Sequence, residues 1–254
     1  MMIKISEIGC FPKTIEEAKV QLVIGSRILS NEGIVDSYGH ISVRNPEDPE
    51  TFLQSRSLAA DIVTLDDILV MDFEGNVLEG PEGARPYWEN VLHGRIFAAR
   101  SDVGCVFHGH PLEVHPFTVM PDMPPLPVKN SGGVFYNGYG YYDSPAGSDM
   151  TVKTVEEADD VAAALGDKWA VLMRCHGVTA ASENIPQMIV DMIAMVQNAS
   201  VYTDCLKMGI TPKFCSPEEG LAYRTSHHAE KPLLRAWEYY VRRAKRAIED
   251  IRDM

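Results

Sequence analysis

Cys105-Val106-Phe107-His108-Gly109-His110 is the stretch from which the rest of the chain can be read. Its apolar start predicts a buried strand over 105–108. Alternate residues of an extended segment face one side, so His108 and His110 turn the same way and can put two imidazoles on one metal ion. Gly109 leaves the opposite side uncrowded. Upstream, Pro86 suits the first turn of a helix that runs to about Arg100, and Asp102 and Gly104 separate that helix from the strand. A helix therefore feeds directly into a strand whose end carries two candidate ligands.

Working outward, Thr14-Ile15-Glu16-Glu17 is a capping-box pattern, and Ile15, Ala18, Leu22 and Leu29 keep helical spacing until Gly33. Short β-rich pieces follow at His40–Arg44, Thr51–Gln54 and Ile68–Asp72, with Glu74-Gly75-Asn76 as a turn into Val77-Leu78, which predicts an antiparallel meander. The stretch Pro121–Ser148 is rich in Pro, Gly, Asn and Tyr and reads as loops around one or two short strands. A second capping box at Thr154-Val155-Glu156-Glu157 opens a helix to Gly166, and Ala170-Val171-Leu172-Met173 then runs as a strand into Arg174-Cys175-His176-Gly177. Pro186 to Gly209 predicts a long buried helix. A last amphipathic helix over 232–252 places Leu234, Trp237, Val241, Ala244, Ile248 and Ile251 on one face and serves as a docking helix. These elements predict an α/β protein, a three-layer α/β/α sandwich around a mainly antiparallel central sheet, formed as a single domain over 1–254.

Composition narrows the function classes. The 254 residues are 45% hydrophobic, enough for one sizeable core, and carry a net charge of −13. That charge repels a phosphate backbone or an anionic membrane, so a nucleic-acid or membrane partner is not expected and small-molecule chemistry is. No apolar stretch approaches the roughly 18 residues of a membrane span, the start lacks a signal-peptide layout, and a cytoplasmic location is expected. The five cysteines (Cys10, Cys105, Cys175, Cys205 and Cys215) form no Cys-x-x-Cys pair and read as reduced core thiols.

His176 adds a third imidazole from a separate strand end. Three neutral imidazoles with open positions make a catalytic rather than a structural metal site. Glu89 and His93 lie four apart on the helix from Pro86 and share a face. Tyr87 and Trp88 beside Glu89 predict a partly dry setting that raises the carboxyl pKa toward that of a usable acid/base.

With these residues in view, the chain resembles the class II aldolase/adducin family from about Thr14 to Met208. The family's two histidines separated by one residue, with a later histidine in a strand-His-Gly context, match His108, His110 and His176. Its catalytic glutamate, nineteen residues before the first ligand and followed at the fourth position by a histidine, matches Glu89 and His93. Gly39-His40-Ile41-Ser42-Val43-Arg44 looks like its Gly-Asn-x-Ser-x-Arg strand. The resemblance implies one divalent ion per subunit, zinc first and manganese, iron, cobalt or magnesium after it. It also implies a homotetramer with sites at subunit interfaces, where Tyr223 and Trp237 are candidates for a lid.

The phosphate cradle of the sugar-phosphate members is missing. Its Thr-Gly and Ser-Ser places correspond to Arg56-Ser57 and Tyr87-Trp88, so bulky groups fill it and an unphosphorylated substrate is implied. Arg56 offers a planar fork for a carboxylate, and Tyr87 and Trp88 offer flat apolar area. Arg56, Ser57, His40, Tyr87 and Trp88 are therefore the candidate substrate-binding residues. The Gly-His and Ser-Arg-Ser pattern looks like a branch that includes decarboxylases of aromatic catabolism, although Pro127-Val128-Lys129-Asn130 lacks the histidine those relatives carry there. The expected function is a lyase that cleaves a C–C bond through a metal-stabilised enolate, by decarboxylating a hydroxy or oxo, aromatic or dienoic carboxylic acid. Three alternatives stand beside it: retro-aldol cleavage of a small hydroxy-oxo acid, an iron-dependent oxygenase on the same fold, and a non-catalytic adducin-like interaction module. His227-His228 reads as a solvated linker pair, His115 as a supporting or core residue, and Cys175 as a packed thiol turned away from His176.

Overall fold

Thr14 accepts a hydrogen bond from Glu17 N at 3.2 Å and so caps the first helix, α1 (Ile15–Asn31), which stops before Gly33 at φ +69°. The computed structural model to which this helix belongs describes residues 9–244 and 247–248. Strands β1 (His40–Arg44), β2 (Thr51–Ser55), β3 (Ile68–Asp72) and β4 (Val77–Glu79) form the expected meander. Helix α2 (Asn90–Ala99) feeds β5 (Cys105–Gly109). After the short α3 (His115–Thr118) come β6 (Gly140–Tyr142), α4 (Val155–Leu165), β7 (Ala170–Met173), β8 (Gly177–Ser182), α5 (Ile185–Lys207), α6 (Pro217–His227) and α7 (Glu230–Arg243).

The eight strands form one sheet in the order β4-β3-β2-β1-β5-β8-β7-β6, antiparallel throughout except for the β6–β7 pair. Residue alternation assigns its two faces. Ile41, Val43, Leu53, Cys105 and Phe107 enter the core shared with α1 and α5, while Phe52 and Val106 enter a second core with α2 and α4. The fold is thus the α/β/α sandwich that the sequence predicts. Phe107 is fully buried, and a side chain of this kind contributes roughly 1.5–3 kcal/mol by leaving water.

While β6 is a short strand of the kind expected within Pro121–Ser148, three elements escape the sequence reading, namely α3, β8 and α6. Their lengths or mixed polarity leave no clear period. Helix α2 starts at Asn90 rather than at Pro86, because Tyr87 is tethered by its hydroxyl to Leu58 O at 2.6 Å and Ser55 Oγ at 3.0 Å, which keeps residues 87 to 89 off the helix axis. The C-terminal helix begins earlier than expected and ends at Arg243. Leu233 and Trp237 are its buried anchors, Leu234 being only half-buried; Ala244 and Ile248 are buried, and Ile251 lies outside the described residues. The expected solvated pair also needs correction. His227 is exposed and stacks on Tyr223, whereas His228 Nε2 sits 2.7 Å from the buried carboxylate of Asp191. Among the described residues no helix is long and apolar enough to cross a membrane.

Candidate metal centre and its pocket

Strand pairing places the imidazoles. His108 on β5 lies opposite His40 on β1 and opposite Thr179 on β8, so three polar side chains form a row across one sheet face. Thr179 donates its hydroxyl hydrogen to Met173 Sδ at 3.2 Å and therefore offers a lone pair to His108 Nδ1 at 3.0 Å. His108 then carries its proton on Nδ1 and keeps a lone pair on Nε2. His110 follows the last residue of β5, with its Nδ1 3.6 Å from Asp36 Oδ2. His176 is supplied by the turn Arg174-Cys175-His176 between β7 and β8, where Cys175 adopts φ +55°. A side chain on Gly177 would strike Gly109 O at 2.4 Å and the His110 ring at 2.8 Å, so only glycine lets this turn close on β5.

One ring nitrogen from each of His108, His110 and His176 lies within 4.8 Å of one from the other two. Nε2 of His108 and Nε2 of His110 are buried without a hydrogen-bond partner. Leaving such atoms unpaired is costly unless a ligand takes their lone pairs. His176 is pushed down to about 4, first by burial and then by His108, and His110 is lowered by the same two causes. Neutral imidazoles, orphaned lone pairs and a carboxylate behind one ring are a donor set that fits a divalent ion.

Glu89 sits at the N-cap position of α2, its Oε2 3.3 Å from His108 Nε2 and 3.6 Å from His176 Nε2. Val152 N donates to its Oε1 at 3.0 Å. Burial raises its pKa, but attraction and a hydrogen bond from His108 when that ring carries a second proton, attraction to protonated His176 and the Val152 hydrogen bond outweigh burial and take it to about 2 in the metal-free site. The expectation of a raised pKa is therefore overturned: the aromatic neighbours turn elsewhere, Trp88 being 79% exposed, and Glu89 is an ionised carboxylate at rest.

His93 sends its hydrogen bonds to residues other than Glu89. It is wholly buried, with Nε2 2.8 Å from His40 Nδ1 and Nδ1 2.7 Å from Ser42 Oγ. Burial first, then His108, lowers it to about 3. His40 is lowered well below its usual value by burial, then by His93 and His108, and its ring packs at a tilt against Tyr87, 4.3 Å between ring centroids. Arg44, at the other end of β1, binds the carbonyls of Phe97 and Arg100 at the end of α2. That arginine anchors the helix and does not reach the site.

These residues open onto a pocket of about 710 Å³ that includes His40, Glu89, His110 and His176 in its lining. All five candidate substrate-binding residues line it, with different availability. Arg56 is half-committed, its Nε giving a 2.7 Å bond to Asp67 Oδ1. Tyr87 spends its hydroxyl on Ser55 and Leu58 and shows the pocket only its ring. Ser57 N donates to Arg85 O at 2.8 Å, which brings Arg85 to the same wall. Trp88 stands at the rim, with Lys153 Nζ 5.6 Å from its ring centroid. Tyr38, Arg85 and Thr151 also line the pocket and were missed, since no period or motif marks them. Asp36 and Thr179 were missed too, because only strand register and loop path put them behind His110 and His108. Cys175, expected inside, is exposed: its left-handed turn sets it outside the β7–β8 alternation, while Cys10 and Cys105 are buried as expected and Cys205 and Cys215 are half-buried.

Residues 20–203 match the family described as Class II Aldolase and Adducin N-terminal domain. The chain is 26% identical over 243 residues to the decarboxylase tropJ of Talaromyces stipitatus, covering 87% of this chain and 91% of that protein. It is 29% identical over 202 residues to a 3,4-dihydroxyphthalate decarboxylase of Arthrobacter keyseri, covering 72% and 77%. An aldolase II superfamily protein from Pseudomonas syringae superposes with a TM-score of 0.79 at 23% identity, over 96% of this chain and 97% of that one, a likeness of fold.

Proposed function

The chain belongs to the class II aldolase and adducin N-terminal domain family and is a lyase, and from that premise we propose that it is a metal-dependent decarboxylase of an unphosphorylated, hydroxylated aromatic carboxylic acid. The observation that carries this reading is the pair of orphaned Nε2 atoms on His108 and His110, set beside an ionised Glu89 in a pocket walled by rings and guanidinium groups. His108, His110 and His176 would hold the ion, zinc being the best fit to three imidazoles. Bound there, it supplies Lewis acidity to a substrate oxygen next to the bond that breaks.

The chain's own residues divide the remaining work. Arg56, through the Nη groups that Asp67 leaves open, binds a substrate carboxylate, while Tyr87 and Trp88 flank the ring. Glu89, ionised at rest, takes the proton of a substrate hydroxyl and returns a proton to the carbon. The C–C bond breaks with its electron pair left on that carbon, carbon dioxide departs, and the hydroxyl oxygen regains a proton from water as product leaves. Two decarboxylases among the relatives support this reaction over the aldol alternative. The large exposed rim residues Tyr38 and Trp88 support a homotetramer in which a neighbour covers the mouth of a one-domain subunit. The proposed setting is cytoplasmic aromatic catabolism.

The test is carbon dioxide release from a panel of hydroxylated benzoates and phthalates, with sugar phosphates as the contrast. Release from a hydroxylated aromatic acid, and its loss by about 10²- to 10⁴-fold in Glu89→Gln with metal content kept, is the expected result. Turnover of the phosphates alone would overturn it.

A further inference from the structure

Among the described residues, two other than glycine take a left-handed backbone, Met150 at φ +64° and Cys175 at φ +55°, and both adjoin the site. Cys175 lies in the turn that presents His176. Met150 lies between β6 and α4, two residues before Val152, whose N–H donates to Glu89 Oε1 at 3.0 Å. A side chain at positive φ costs conformational energy and persists only where the surroundings impose it. Here they do so from both sides. Met150 N donates to Ser148 Oγ at 3.2 Å and Thr151 N to Asp149 Oδ1 at 3.2 Å, and Asp149 also pairs with Lys153 Nζ. Lys153 N then donates to Glu157 Oε2 at 2.9 Å, in the first turn of α4, and the Val152 side chain is buried in the core shared with α2 and α4. None of these contacts involves Glu89, so the direction of the Val152 N–H is set independently of the carboxylate it meets.

A free carboxylate has two equivalent oxygens and turns broadly about its last bond. Glu89 makes no side-chain capping bond to its own helix, and among the described residues Val152 N is its one hydrogen-bond donor apart from the imidazoles. That donor occupies Oε1 and leaves Oε2 toward His108 and His176. The same segment reaches the pocket and its rim: Thr151 lines the pocket, and Lys153 Nζ lies 5.6 Å from the ring centroid of Trp88, the residue before Glu89. We propose that residues 150–153 form a positioning strap for the acid/base, in which the left-handed turn at Met150 directs the Val152 N–H onto Glu89 Oε1, so that Oε2 alone exchanges the proton with the substrate. The account rests on Glu89 as the acid/base of the proposed decarboxylase. A carboxylate free to turn presents either oxygen and loses its alignment with the reacting carbon. Val152 acts through Glu89 and is a positioning residue.

The test replaces Val152 by its α-hydroxy acid analogue, so that an ester oxygen stands where the N–H was and the side chain is kept. In the zinc-loaded full chain, carbon dioxide release from the benzoate and phthalate panel should fall about 10- to 100-fold in kcat, with KM and zinc content unchanged. Unchanged kcat, in a protein whose Glu89→Gln variant is inactive, overturns the strap; an active Glu89→Gln variant overturns the acid/base reading and the strap's role with it. The geometry also has a readout without substrate. In ¹⁵N–¹H spectra of metal-free and zinc-loaded protein, the Val152 amide should lie downfield and exchange slowly. Glu89→Ala should move it upfield, while the Lys153 amide, bound to Glu157, stays in place. Met150→Val, whose branched side chain disfavours positive φ, should lose the downfield signal, and Met150→Gly should keep it. A Val152 amide indifferent to Glu89→Ala, or unmoved in Met150→Val, overturns the strap even where the ester variant does not fold. These signals need no turnover, so failure of the decarboxylase reading leaves them standing.

Discussion

Two buried polar clusters sit on different elements of this protein and are built on opposite terms. In the first, His108, His110 and His176 converge with their lone pairs unspent, and Nε2 of His108 and His110 has no hydrogen-bond partner. In the second, Asp191 of α5 takes His228 Nε2 on one oxygen at 2.7 Å and Arg224 Nη1 on the other at 3.3 Å, while Gln187 reaches the far nitrogen of His228. The Arg224 guanidinium also lies 3.9 Å from the Trp169 ring centroid and donates to Val134 O. The second cluster pairs both oxygens of its carboxylate within the chain, although Arg224 Nη2 is left without a partner, and it ties α6 to the core. The first stays open and asks for something from outside. Burial alone separates neither from the other; what separates them is whether the acceptor lone pairs find donors within the chain, as those of Asp191 do and those of His108 and His110 do not.

The comparison can be broken most forcefully at His108. His108→Ala should remove bound metal and take turnover to background while the fold is kept, read by metal analysis and circular dichroism; metal content unchanged in both His108→Ala and His176→Ala would erase the difference between the clusters. Next in size, Asp191→Ala leaves a buried arginine and histidine without their carboxylate and should cost about 3–5 kcal/mol in urea denaturation. Zinc content per folded chain should not change, and a loss of zinc would mean that the two clusters are one system. Thr179→Val removes the lone pair that orients His108 and should weaken metal binding by about 10- to 100-fold in chelator competition, with Thr179→Ser restoring it.

The smallest effect is on pH dependence. In metal-free protein, folded His93 titrates at about 3 and His176 at about 4, against 6.5 for each when unfolded, while Glu89 titrates at about 2 against 4.5. Between these values the unfolded chain binds protons that the folded chain refuses, so stability is full above about pH 6.5 and declines on acidification. The histidines act first and Glu89 joins below about 4.5. Denaturation midpoints at pH 7 and pH 5 in chelator should show the decline, and His93→Gln should flatten its upper part. A flat profile in the parent chain would mean that these rings are not held neutral.

Much of the site was legible because its signals are local. The spacing from Glu89 to His108, the His-x-His strand and the His-Gly after an apolar run are sequence facts, and backbone alternation turns them into directions in space. The Glu89 ionisation went the other way from expectation, since neighbours in sequence, Tyr87 and Trp88, are not its neighbours in charge. Arg56 was legible as a donor but not as the partner of Asp67, eleven residues on. His228 looked solvated because nothing near it in sequence announces Asp191.

By itself, then, the sequence determined the layers and most strands and helices, which depend on periodicity, and it singled out three imidazoles and one carboxylate as candidates through short-range spacing and the family resemblance. Only the tertiary structure decided which atoms of those groups stay unpaired, because that depends on strand register and on contacts between residues far apart in the chain. Register set Thr179 behind His108 and His40 beside it, and the loop before Gly39 brought Asp36 to His110. The hydrogen-bond partners that fix where each imidazole keeps its proton come from other strands and helices, and only folding brings them together.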